Sequence, residues 1–82
     1  MTIVVIARTT DPHRQAEALR AALGLTLRGA RIEVVVHAAL LTPLAERAAA
    51  TLRAFGHEVR AVDRDPELAA AISRADTVEV WT

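Results

Sequence analysis

The stretch Ile3-Val4-Val5-Ile6-Ala7-Arg8-Thr9-Thr10-Asp11-Pro12 decides the fold. It joins an apolar, β-branched run to a helix start. Asp11 is a capping residue whose side chain accepts a hydrogen bond from an orphan N–H of the first turn. Pro12, directly behind it, gives up a donor that the helix has no use for. The same grammar returns at Thr42-Pro43 and Asp65-Pro66, and each pair closely follows another β-like run. Four strands alternating with three helices therefore occupy the whole chain as one domain, residues 1–82. That alternation predicts an α/β fold with a parallel sheet.

The strands differ in kind. Ile3 to Ala7 is uninterrupted and expects cover on both faces, as a central strand has. Arg31 to His37, with Ile32, Val34, Val35 and Val36, also reads as central. Glu58 to Val62 and Thr77 to Trp81 alternate apolar with polar residues, which suits edges. The order is then 3-2-1-4. Right-handed crossovers place helices one and two on one face and helix three on the other.

Helix one is expected from Pro12 to about Arg28 with Gly29 as its stop. Ala16, Leu19, Leu23 and Leu27 form its stripe for the sheet, and Ala18, Ala21 and Leu25 lie almost opposite. Helix two, Pro43 to Phe55, presents Leu44, Ala48, Leu52 and Phe55. Helix three, Pro66 to Arg74, presents Leu68, Ala71, Ile72 and Ala75. Helix one alone is apolar on two sides, so Ala18, Ala21 and Leu25 are the expected contact of a homo-oligomer, or of a hetero-oligomer with related subunits.

Composition narrows the chemistry. The chain has 82 residues, with 10 basic and 10 acidic residues in balance. A domain this small buries only roughly 60–65% of the surface its unfolded chain exposes, so its stability margin is thin. Zero net charge argues against nucleic-acid binding, which needs a basic face. Cysteine is absent, which excludes disulfides, thiolate metal sites and cysteine nucleophiles. The opening apolar run is too short for a signal peptide or a membrane span, so a cytoplasmic protein is expected.

Ligands of open parallel sheets sit beyond the carboxyl ends of the strands, where strand order reverses. That crevice lies between strands one and four. Its rim would gather Arg8, Thr9 and Thr10 after strand one, His37 after strand two, and Asp63 and Arg64 after strand three. The helix N-termini point the same way and favour a small anionic ligand. These side chains also have plainer roles in turns, caps and solvated ion pairs. No G-x-G-x-x-G follows strand one, and a Walker-type loop lacks its lysine. His13, His37 and His57 are scattered and have no carboxylate pair, so no metal is expected. No catalytic set and no cofactor are read.

The stretch Ile3-Val4-Val5-Ile6, then Thr10-Asp11-Pro12, the alanine-rich helix Ala16 to Leu27, Gly29, the strand Ile32 to Val36, and the ending Ala75-Asp76-Thr77-Val78-Glu79-Val80-Trp81 resemble the DsrE/DsrF-like superfamily of sulfur-relay subunits. The resemblance spans nearly the whole chain and rests on pattern, without a diagnostic motif. It implies a parallel α/β/α sheet, usually of five strands where this chain has room for four. It also implies assembly into oligomers. In sulfur-carrying members a cysteine stands near the end of the third strand, whereas the matching region here is Val62-Asp63-Arg64. A persulfide needs a thiolate, so the resemblance implies a non-catalytic member, a subunit or regulator in sulfur handling. The other reading is a small-ligand or anion-binding domain that uses the rim.

Overall fold

The structure, a computed structural model, describes residues 1–82 apart from Ala38, Asp63 and Thr82. Its elements are β1 (Thr2–Ala7), α1 (Pro12–Leu25), a 3-10 turn (Thr26–Arg28), β2 (Arg31–Val36), α2 (Pro43–Ala54), β3 (Glu58–Ala61), α3 (Asp65–Arg74) and β4 (Thr77–Val80). The sheet has four strands in the order β3-β2-β1-β4. All three pairings are parallel, as the alternation predicts.

Two of the three expected caps form. Asp11 Oδ1 accepts from His13 N at 2.9 Å and from Arg14 N at 3.4 Å. Thr42 Oγ1 accepts from Ala45 N at 3.0 Å. The third differs: α3 begins at Asp65 itself, and Arg64 occupies the cap without a side-chain bond. Asp65 and Glu67 instead lie in the first turn, where a negative charge favours the helix dipole. Gly29 and Gly56 follow the helix ends at φ 75° and 86°, a left-handed backbone that a Cβ would strain.

Side-chain alternation divides the core in two. Ile3, Val5, Ala7, Ile32, Val34, Val36 and Val59 face α1 and α2. Val4, Ile6, Val35 and Val62 face α3, where Ala71 is buried and Leu68 and Ala75 pack beside it. β1 is the hub. Arg31 N–H donates to Met1 O at 2.9 Å on one side of it, and Asp76 N–H donates to Thr2 O at 2.9 Å on the other. Thr2 N–H in turn donates to Asp76 Oδ2 at 2.7 Å.

Helix phases depart from expectation in identifiable ways. Leu27 is 91% exposed rather than on the sheet. The last turn of helix one winds as 3-10, at about 120° per residue, and so carries Leu27 off the stripe. α2 buries Ala45, Ala48, Ala49 and Leu52, while Leu44 and Phe55 are exposed. These buried positions follow i, i+3, i+4, i+7, and their small side chains let α2 lie close beside α1. That neighbour covers part of helix one's second stripe. Ala18 is fully buried within this core, and Leu25 is half-buried against it. Ile72 is exposed, unlike the rest of its stripe.

β4 is an edge strand, but its wet side is the apolar one. Val78 and Val80 are 36% and 62% exposed. Their register partners Val4 and Ile6 are buried. A single helix serves this face, and it packs over β1 and β2 rather than over β4.

Candidate functional site

The carboxyl rim is built by the turns that follow the strands. Arg8 leaves β1 toward the α3 side, and one guanidinium nitrogen lies 3.8 Å from Asp65 Oδ1. Its side chain is 24% exposed. Among the described residues, its Nε is buried without a hydrogen-bond partner. Thr9 is half-buried, and its hydroxyl oxygen accepts from Asp11 N at 3.1 Å. Thr10, His37 and Arg64 are exposed, and Asp63 lies outside the described residues. Among the described residues, no hydrogen bond or ion pair links any of Arg8, Thr9, Thr10, His37 and Arg64 to another. The rim is a set of neighbours rather than an assembled constellation.

Two further features of the rim take shape only in the folded chain. Gln15, 1% exposed on the first turns of α1, reaches across to the loop between β2 and α2. Its Nε2 donates to Ala39 O and its Oε1 accepts from Leu41 N, both at 2.8 Å. A primary amide suits this task because it offers a donor and an acceptor side by side. Trp81 is half-buried after β4, with the Arg14 guanidinium 5.8 Å from its ring centroid, within cation–π range. A groove of about 390 Å³ lies beside it, lined by Glu17, Arg20, Ala21 and Trp81. Ala21, expected on a subunit contact, thus lines a groove next to the chain's own tryptophan.

The most heavily charged cluster lies elsewhere, on the α3 face. Glu33 of β2 is 4% exposed, yet it shares this face with Val4 and Val35. Both Arg60 of β3 and Arg74 of α3 donate to its Oε1, the latter at 2.8 Å. Arg31 donates to Glu58 Oε1 at 3.4 Å, and Arg60 Nε lies 3.7 Å from Glu58 Oε2. Together with Thr2 these groups line a cavity of about 360 Å³. The signal was present in the sequence: a carboxylate inside a β-branched central strand must find cations. Its arginines, however, come from other elements.

Among the described residues, no group of three or more histidine, cysteine, aspartate or glutamate side chains is placed to hold a metal ion. No helix among them is long and apolar enough to cross a membrane. No family model, curated protein or solved structure matches the chain.

Proposed function

We propose that this chain is a non-catalytic, self-associating protein of the DsrE/DsrF-like kind, a subunit or regulator in sulfur handling that carries no sulfur itself. The observation that supports self-association is the apolar surface left in water by so small a domain. Leu27, Phe55 and Val80 are 91%, 76% and 62% exposed. Covering such side chains contributes about 1.5–3 kcal/mol each, which is considerable against a total stability of about 5–15 kcal/mol. The rim supports the non-catalytic half of the reading. Its described members are a capping turn, an ion-paired arginine and exposed side chains, and a chain without cysteine has no thiol to load. Native mass by light scattering tests this directly: a multiple of the 8.8 kDa chain mass is expected, and a monomer at all concentrations rejects it.

A second reading, anion binding at the rim, is favoured by one observation, the Arg8 Nε, buried and without a partner among the described residues. A buried donor without an acceptor costs about 1–3 kcal/mol, which an oxyanion would relieve. A thermal-shift series with phosphate, thiosulfate and nucleotides tests it. A rise in melting temperature that Arg8→Ala abolishes supports this reading, and no rise with any of them rejects it.

A further inference from the structure

We propose that β4 is the strand through which a second copy of this chain attaches, pairing antiparallel so that the two sheets become one. This rests on the self-association reading and names its surface. The sheet has two edges, β3 and β4, and they are finished differently. β3 presents Glu58 and Arg60, both held in ion pairs, and charges of this kind deter strand addition. β4 reads Thr77-Val78-Glu79-Val80, without lysine, arginine or proline. It is also the strand whose apolar side chains stand in water while their register partners are buried.

A second copy fits this edge better than an unrelated chain for two reasons. Net charge is zero, so two copies approach without overall repulsion. The edge is also self-complementary. A two-fold axis normal to the sheet pairs identical edge strands antiparallel and keeps each face on its own side. Only residues on the same face then oppose each other. The register centred on Val78 sets Val78 against its own counterpart, with each Val80 diagonal to the other copy's Val78. It places Thr77 opposite Glu79 and avoids the like-charged pair that would arise if Glu79 opposed itself. All four valines then share the α3 face.

The test combines light scattering with amide hydrogen exchange on the whole chain. Wild type should be a dimer whose β4 amides become more protected as protein concentration rises. Val78→Lys, which faces its own counterpart, and Val80→Asp, which faces Asp76 of the other copy, each checked for native circular dichroism, should raise the dimer dissociation constant at least about tenfold, since each sets like charges opposite one another in the paired edge. Arg47→Glu, at an exposed charged site on α2 away from β4, should leave it unchanged. A monomeric wild type overturns this inference together with the self-association reading. A dimer that survives both variants, or whose β4 amides exchange equally at all concentrations, overturns the edge inference alone. Should Val78→Lys fail to fold, Val80→Asp and the wild-type exchange data decide.

Discussion

Replacing Glu33 with valine, and separately replacing Arg60 and Arg74 together with methionine, removes both ion pairs of Glu33 with unequal effect, the arginine change also losing the exposed Arg60–Glu58 contact. Glu33 is nearly inaccessible, whereas the Arg60 and Arg74 side chains are 42% and 51% exposed. When the carboxylate is replaced, both guanidiniums can turn to water and the valine joins Val4 and Val35 on the sheet face. The net change should stay within about 1 kcal/mol, because a well-packed apolar residue often substitutes for a buried ion at little cost. When the arginines are replaced, the carboxylate remains beneath the surface without its cations. Breaking a fully buried pair in this way costs about 3–5 kcal/mol, and the half-exposed partners let in enough water to lower that to about 2–4 kcal/mol. With a denaturant slope near about 1 kcal/mol/M for so small a chain, the urea midpoint of the arginine double variant should fall by about 2 M or more. Circular dichroism in urea measures both variants, at one protein concentration because association shifts the midpoint. Equal losses in the two would refute the reasoning, since the cluster would then stabilise by mutual attraction rather than by relieving a buried charge.

Glycine substitutions should split by sign. Gly24 lies within α1 with nothing within 4 Å of a Cβ built on it, so Gly24→Ala should stabilise by about 0.5–1 kcal/mol. Gly56→Ala meets equally open space but a φ of 86°, and should destabilise by about 1 kcal/mol; thermal melts of the pair check both. Gln15→Ala removes the donor and acceptor held by Ala39 and Leu41. It should cost about 1–3 kcal/mol and hasten proteolytic cleavage between residues 37 and 42, read by mass spectrometry.

The strand order was legible because its signals are local. A continuous β-branched run marks β1, charged alternation marks β3, and a capping residue before proline marks the starts of α1 and α2. Helix phase was less legible in α2. Weighting leucine and phenylalanine pointed to Leu44 and Phe55, whereas the close approach of α1 selects the alanines at 45, 48 and 49. Exposure on β4 depends on how much of its face α3 covers, which no property of residues 77–80 records. The rim is legible as a location because it follows from the strand order, with Arg8 directly after β1. Gln15 and Glu33 were missed because each is defined by partners far along the chain. A glutamine on a helix looks ordinary until those partners are known, and a glutamate inside a β-branched strand calls for cations without naming them.

The placement of β1 between β2 and β4 has a consequence for how the chain is made. One flank of β1 is closed by the strand that begins at Arg31, whereas the other waits for Asp76, 74 residues beyond Thr2. On a ribosome, β1, α1 and β2 emerge and pair early, while the second flank of β1 has no partner until β4, beyond α2, β3 and α3, has also emerged. The long closure also slows folding, since its entropy must be lost before the contact is gained. A nascent or truncated chain lacking β4 presents Ile3 to Ala7 as a bare template for strand addition. Within this sheet, the strand synthesised after the other three is therefore the one that guards β1.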